Sequence, residues 1–125
     1  MVGFVIVSHS AKLAEGVVDL ARMMAKTVPI AAAGGLEDGG FGTSFEKIQR
    51  AVEQVYSDDG VILLMDMGSA VMTAEMVLES MEGRTIRMAD CPIVEGAVTG
   101  TLSAEAGSTL EEILEELEEP QKKLS

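Results

Sequence analysis

Apolar residues recur along this chain with two alternating periods. Val2 to Ser8 (VGFVIVS) is a short run rich in β-branched residues, the signature of a strand buried on both faces. Leu13, Val17, Leu20, Ala21 and Met24 then fall on one side of a helix, with Ser10 placed to cap its N-terminus. Val28 to Ala33 (VPIAAA) predicts a second, weaker strand, where Pro29 is tolerated near the start or at a sheet edge. The segment Gly34 to Gly42 holds five of the 13 glycines and predicts a loop. Thr43 to Glu46 (TSFE) has the form of a capping box, and Phe45, Ile48, Val52, Val55 and Tyr56 give the helix behind it an apolar stripe.

The clearest strand follows Gly60. Val61 to Met65 (VILLM) is a continuous apolar run of the kind found in the centre of a parallel sheet, and it ends abruptly at Asp66. Met67-Gly68-Ser69 turns into a third helix with Val71, Ala74, Leu78 and Met81 expected to face inward. Arg84 to Ala89 alternates polar and apolar, as a half-exposed strand at the sheet margin does. Pro92 is expected at the first position of the next helix, where Gly96, Gly100 and Ala104 make a side that a neighbour can approach closely. Ser108 to Glu111 predicts a second capping box, opening an acidic amphipathic helix with Leu110, Ile113, Leu114 and Leu117 on one side.

The order β-α-β-α-β-α-β-α-α implies an α/β domain, and no linker or internal repeat divides residues 1–125. Right-handed crossovers favour a small doubly wound, mainly parallel sheet of order 2-1-3-4 with helices on both faces.

Composition narrows the function. The chain has 125 residues and 13.2 kDa, with Lys+Arg 9 against Asp+Glu 21, a formal charge of -12. A sequence pI near 4.3 argues against nucleic acid as a partner, because that surface needs clustered cations. No apolar run approaches a membrane span and no basic region precedes the first strand, so neither a membrane segment nor a secretory signal is expected. A single cysteine, Cys91, has no partner for an internal disulfide, which fits the cytoplasm. One histidine and one cysteine make a conventional zinc site improbable, and no metal is expected. Met65, Met67, Met72 and Met76 are expected to fill the core, and Cys91 to be a small buried residue.

In an open parallel sheet, function collects beyond the C-terminal ends of the strands, where the strand order reverses. With order 2-1-3-4 that crevice lies between the first and third strands, so His9 and Asp66 should face each other with the glycine loop on the same rim. A neutral imidazole is a competent nucleophile toward a phosphoryl group, and a carboxylate holding one ring nitrogen orients the other for attack. Helix N-termini and glycine-loop N–H groups offer anion donors there. Each residue also has a plainer role: His9 as a structural histidine, Asp66 as a turn residue, Ser69 and Thr43 as caps.

Four segments together resemble a known family: VGFVIVSHSAKLAEGVVDLARMM, FGTS, GVILLMDMGSA and CPIVEGA. They resemble the phosphotransfer subunit of phosphoenolpyruvate-dependent dihydroxyacetone kinase, itself similar in fold to the mannose-type enzyme IIA domain of the sugar phosphotransferase system. The resemblance covers residues 1–107 and leaves an acidic C-terminal helix, 108–125, outside. It implies that His9 receives a phosphoryl group from the phosphohistidine of HPr and passes it to ADP held on the nucleotide-binding kinase subunit. Asp66 would hold the ring and leave Nε2 as acceptor, with Ser10, Thr43, Gly68 and Ser69 around the phosphate. It also implies no cofactor bound on this chain beyond a transient phosphohistidine, with ADP and magnesium on the partner subunit. A homodimer is implied as well, giving the Gly96/Gly100 face or the last helix a use. Some family members carry fused HPr-like and enzyme I-like domains; here these are expected to be separate proteins.

Two other readings compete. A mannose-type enzyme IIA domain would share His9 and Asp66 but deliver the phosphoryl group to a IIB partner of a sugar transporter. A non-catalytic anion-binding module would use the glycine loop and survive loss of His9. A receiver-type phosphoacceptor fits poorly, because Ser8-His9 supplies no acidic neighbour to hold magnesium.

Overall fold

In the computed structural model, which describes residues 1–119, β1 (Gly3–Ser8), α1 (Ala11–Met24), β2 (Ile30–Gly34) and α2 (Phe45–Val55) make the first half. β3 (Val61–Met65), α3 (Gly68–Ser80), β4 (Ile86–Ala89), α4 (Ile93–Glu105) and α5 (Leu110–Glu118) complete it. Residues 120–125 of the expected terminal helix lie outside the described residues. The four strands pair in parallel in the order β2-β1-β3-β4, the arrangement the alternating pattern predicts. No helix among the described residues is long and apolar enough to cross a membrane.

Alternate strand residues point to opposite faces. Phe4, Ile6, Ile62 and Leu64 meet the layer of α1, α4 and α5, while Val5, Val7, Val61 and Leu63 meet α2 and α3. Both central strands are therefore buried on two sides, which is why they read as unbroken apolar runs rather than as alternation.

Several helix details differ from expectation. In α1 the buried face is Ala14, Val17, Val18 and Ala21, so small residues bring the helix close to the sheet and leave Leu13, Leu20 and Met24 exposed. In α3, Ala70, Ala74, Val77 and Met81 are buried, whereas Val71 and Leu78 are only half-buried. Met67, Met72 and Met76 are exposed rather than core, because the small residues Ala70 and Ala74 take the side of α3 that faces the sheet. Cys91 is half-buried rather than the fully buried residue expected.

The caps sit one residue later than the motif pattern places them. Ser44, not Thr43, caps α2 by accepting from the Lys47 N–H. Thr109 and Glu112, not Ser108 and Glu111, form the reciprocal capping box of α5. Pro92 occupies the cap position of α4 rather than its first turn. Where two hydroxyl residues are adjacent, either offers a plausible cap, and the register is set by which turn lets the apolar stripe reach the sheet.

The faces assigned to a second subunit are used within the chain. Gly96 lies against Cys91 and Leu64, and Gly100 against the Phe4 ring, where an added Cβ would meet Cε2 at 3.0 Å. The apolar side of α5 is also internal, with Leu110, Ile113 and Leu117 all buried.

Candidate active site

The parallel register sets Val7 of β1 beside Met65 of β3, so the residues that follow emerge together at the C-terminal rim. The ladder extends one step further through the Asp66 N–H, which donates to the Val7 carbonyl at 3.2 Å. Asp66 and His9 are thereby fixed by backbone before any side chain acts.

The Asp66 carboxylate is filled from three directions. Oδ1 lies 3.0 Å from His9 Nδ1, while Oδ2 accepts from Ser8 Oγ at 2.8 Å and from the His9 N–H at 3.0 Å. Its side chain is 11% exposed and that of His9 22%. Burial alone would raise the Asp66 pKa, but the hydrogen bonds from the His9 N–H, the Ser8 hydroxyl and the His9 ring outweigh it and hold the carboxyl below its ordinary value. An ionised Asp66 accepts only, so the proton on this contact belongs to Nδ1. His9 Nε2 is left with its lone pair, and Ser69 Oγ lies 2.7 Å from it as the donor.

The surroundings keep this pair in place. Ser10 caps α1 with its side chain and donates its N–H to Ser8 Oγ at 3.0 Å, so Ser8 links the start of α1 to Asp66. Gly34 must be glycine, since an added Cβ would stand 2.5 Å from the Ser10 carbonyl oxygen. The Gly42 N–H donates to the His9 carbonyl at 2.9 Å, tying the glycine loop to the histidine backbone. Thr43 Oγ1 and Thr73 Oγ1 share a hydrogen bond of 2.8 Å, which joins that loop to α3.

The sequence-predicted residues therefore divide. His9, Asp66 and Ser69 are in direct contact, and Gly68 opens α3 beside them with free space where a side chain would be. Ser69 is in the first turn of α3 rather than its cap, and Thr43 is held by Thr73. The glycine loop contributes fewer anion donors than expected, because the N–H groups of Gly35, Leu36, Gly39, Gly40 and Gly42 already have partners. The N-terminus of α3 is the better donor, since Met67 makes no side-chain cap and the first turn carries no acid. Ser8 and Thr73 were not singled out by sequence; for Ser8 the signal was a polar residue closing an otherwise apolar strand.

Beside Asp66 a cleft of about 490 Å³ opens between the ends of β3 and β4, lined by Met65, Met67, Val71, Met88 and Cys91. Burial first, then the nearby Asp90, Glu118 and Glu95 carboxylates, push the Cys91 thiol up to about 11, so it is protonated at neutral pH. Among the described residues no three His, Cys, Asp or Glu side chains gather as a metal site.

The chain that carries this carboxylate-held imidazole is similar to known proteins along nearly its whole length. The family described as PTS system fructose IIA component matches residues 3–114, a span that reaches into α5. Over 116 residues the chain is 41% identical to the PTS-dependent dihydroxyacetone kinase, phosphotransferase subunit DhaM, of Lactococcus lactis, covering 93% of each. It is 40% identical over 121 residues to the PEP-dependent dihydroxyacetone kinase, phosphoryl donor subunit DhaM, of Escherichia coli. That match takes in 91% of this chain but spans only 26% of the longer relative. Among solved structures, a protein of unknown function superposes with a TM-score of 0.85 at 27% identity, covering 98% of this chain and 96% of the other. The phosphotransferase system component EIIA of Streptococcus agalactiae superposes at 0.69 with 13% identity over 94% and 89%, a likeness of fold alone. With a family match over residues 3–114, the chain belongs to the PTS fructose IIA component family.

Proposed function

We propose that this chain is the phosphotransfer subunit of a dihydroxyacetone kinase, carrying a phosphoryl group on His9. The observation that carries the reading is the double hold on the imidazole, with Nδ1 on Asp66 and Nε2 beside the Ser69 hydroxyl. The names of the Lactococcus and Escherichia relatives supply the kinase system.

In the first step the Nε2 lone pair attacks the phosphorus of the phosphohistidine on HPr. The new Nε2–P bond forms as the donor's N–P bond breaks, and that electron pair returns to the donor nitrogen. Asp66 keeps the proton on Nδ1 and stabilises the positive charge that the ring acquires. The Ser69 hydroxyl turns from Nε2 to a phosphoryl oxygen, and the Gly68 and Ser69 N–H groups face the same charge. In the second step a terminal oxygen of ADP on the nucleotide-binding subunit attacks the phosphorus, and the Nε2–P electron pair returns to the ring. Positioning and charge stabilisation suffice for transfer of this kind. Ser10 acts as the cap of α1, its hydroxyl accepting from the Leu13 N–H, and Thr43 by holding the glycine loop to α3.

The test is intact-mass analysis of the chain after incubation with phosphoenolpyruvate, enzyme I and HPr, beside His9→Ala. One acid-labile phosphoryl adduct is expected in the wild type and none in the variant, and ADP-loaded kinase subunit should discharge it. A wild type that never gains the adduct would overturn the reading. The second reading, an enzyme IIA domain of a sugar transporter, is favoured by the description of the matching family. It predicts discharge to a IIB domain and not to ADP.

A further inference from the structure

The glycine-rich loop between β2 and α2 is tied down more firmly than a plain connection needs. Lys47 holds both of its ends, donating its N–H to the Ser44 hydroxyl at 3.2 Å and its ammonium to the Gly34 carbonyl at 3.0 Å. Between those ends Arg50 pairs with Glu37, and the Leu36 side chain packs on Gly42, where an added Cβ would stand 2.9 Å from Cδ2. The Gly42 N–H and the Thr43 hydroxyl then fix the loop to the His9 carbonyl and to Thr73 of α3. What this scaffold holds out is Phe41. It is 84% exposed, whereas Phe4 is buried and Phe45 half-buried.

A fixed loop that exposes an aromatic ring, one residue from a bond to the His9 backbone, needs an explanation. The start of α3 adds to the exposed apolar surface at this rim. Met67 precedes the helix and is 55% exposed. Met72 and Met76, 72% and 57% exposed, fall within about 60° of Ser69 around the helix. Glu75 and Glu79 line the flank of that stripe away from Thr73 and the loop. We propose that Phe41 is the anchor by which the phosphoryl donor protein docks, with Met67, Met72 and Met76 as the adaptable apolar floor beside it. The inference rests on the phosphotransfer reading and adds the residues that recognise the donor.

Transfer needs the donor phosphorus in line with His9 Nε2, so the donor must cover the rim that Phe41 flanks. An aromatic ring on a rigid loop loses little conformational freedom on entering an apolar socket, which makes it an efficient anchor. Methionines, unbranched and polarisable, mould to an irregular partner surface. Charge describes the rest of the occupant. Asp38 beside Gly40, with Glu75 and Glu79, is exposed around these apolar residues, so the donor's socket carries a basic border. The two cations that contact the loop, Lys47 and Arg50, are taken by the Gly34 carbonyl and by Glu37. A small polyanion such as free phosphoenolpyruvate, or a partner that leads with a diphosphate, is therefore repelled here. A protein that brings one phosphoryl group among cations is not.

The test compares two phosphoryl donors on the full chain: phospho-HPr, which must dock, and phosphoramidate, which is too small to. In Phe41→Ala the half-saturating concentration of phospho-HPr should rise roughly tenfold or more, while phosphoramidate loads His9 at the wild-type rate. Phe41→Tyr should keep most of the affinity. Met72→Ala should weaken docking in the same direction, and Glu75→Lys with Glu79→Lys should weaken it and flatten its salt dependence. A half-saturating concentration unchanged in Phe41→Ala overturns the proposal. So does equal slowing with both donors, which would make Phe41 a support for His9 alone. Normal loading with slow discharge to the ADP-loaded subunit would also overturn it, by assigning the anchor to the acceptor. A wild type that phosphoramidate loads and phospho-HPr never does would overturn the phosphotransfer reading itself, and this inference with it.

Discussion

Ser69 Oγ lies 2.7 Å from His9 Nε2, on the nitrogen that Asp66 does not hold. In the proposed transfer, the hydroxyl would cover the nucleophilic lone pair beforehand and lie within reach of a phosphoryl oxygen afterwards. It therefore costs a little in the ground state and gives more back in the transition state, because a hydrogen bond to a charged acceptor exceeds one to a neutral imidazole. Ser69→Ala should slow phosphorylation of His9 by roughly tenfold, about 1.4 kcal/mol. Ser69→Thr should restore much of it. Rapid-quench kinetics with phospho-HPr decide the point, and an unchanged rate in Ser69→Ala would remove Ser69 from the mechanism.

Asp66→Asn keeps the shape of the side chain but replaces an obligate acceptor with a group that can also donate. If the amide nitrogen faces the ring, Nδ1 must accept, the tautomer reverses, and Nε2 carries the proton. The phosphorylation rate should fall by about 10² to 10⁴, the scale seen when an orienting carboxylate is lost.

The same substitution has a pH signature in stability. Asp66 has a lowered pKa in the fold because its hydrogen bonds outweigh the cost of burial. A carboxyl lowered on folding stabilises above its unfolded value of ~3.9, and that contribution fades as pH falls through the folded value. Urea unfolding of wild type and Asp66→Asn should thus differ most near neutral pH and converge in acid. A gap that widens as pH drops would contradict this.

Much of the architecture was legible because the sheet is parallel and its two central strands are apolar up to their C-terminal ends, where Ser8 closes β1. Val61 to Met65 could be bounded to the residue for that reason, and the abrupt change at Asp66 marked the rim. His9 and Asp66 followed from the strand order, since the crevice of a 2-1-3-4 sheet falls between β1 and β3. Side-chain assignments on the helices were less legible. In α1 and α3, Val17, Ala21, Ala74 and Met81 face inward as expected, but Ala14, Val18, Ala70 and Val77 take the places that ranking by hydrophobicity gave to Leu13, Leu20, Met24, Val71 and Leu78. Ser8 was missed because its role depends on Asp66, 58 positions away.

Ser8 is fully buried, and it donates to Asp66 Oδ2 while accepting from the Ser10 N–H. Ser8→Ala removes one bond to the carboxylate and leaves the Ser10 N–H without its partner. The cost should be about 1–3 kcal/mol in unfolding free energy. Transfer should suffer less than in Asp66→Asn, because the His9 N–H and ring still hold Asp66. Chemical denaturation and the transfer assay, run on the same variant, separate the two effects.

Ile113 tests whether α5 is part of the core or an appendage. Its side chain is buried between α5 and the sheet, in the cluster that includes Phe4 and Leu64. Ile113→Ala should cost about 2–5 kcal/mol, the range for truncating a large aliphatic in a packed core. An exposed helix face would lose only a few tenths. A thermal melt that barely moves would show α5 to be dispensable.

Cys91 gives a chemical probe of the cleft beside Asp66. Its thiol is pushed up to about 11, first by burial and then by Asp90, Glu118 and Glu95, so almost none of it is thiolate near neutrality. An unfolded cysteine has a pKa of ~8.5, so at pH 8 the folded chain should react with iodoacetamide on the order of 10²-fold more slowly than the unfolded chain. The rate should climb about tenfold per pH unit and level off only near 11. Stability carries the same sign. A thiol raised on folding contributes fully below its unfolded pKa, and the contribution is lost as pH rises through the folded one. Wild type should therefore lose stability between roughly pH 8.5 and the folded value relative to Cys91→Ala. Rapid labelling at pH 7, or an alkaline profile identical in the two proteins, would show the thiol to be less enclosed than the packing of Cys91 against α4 implies.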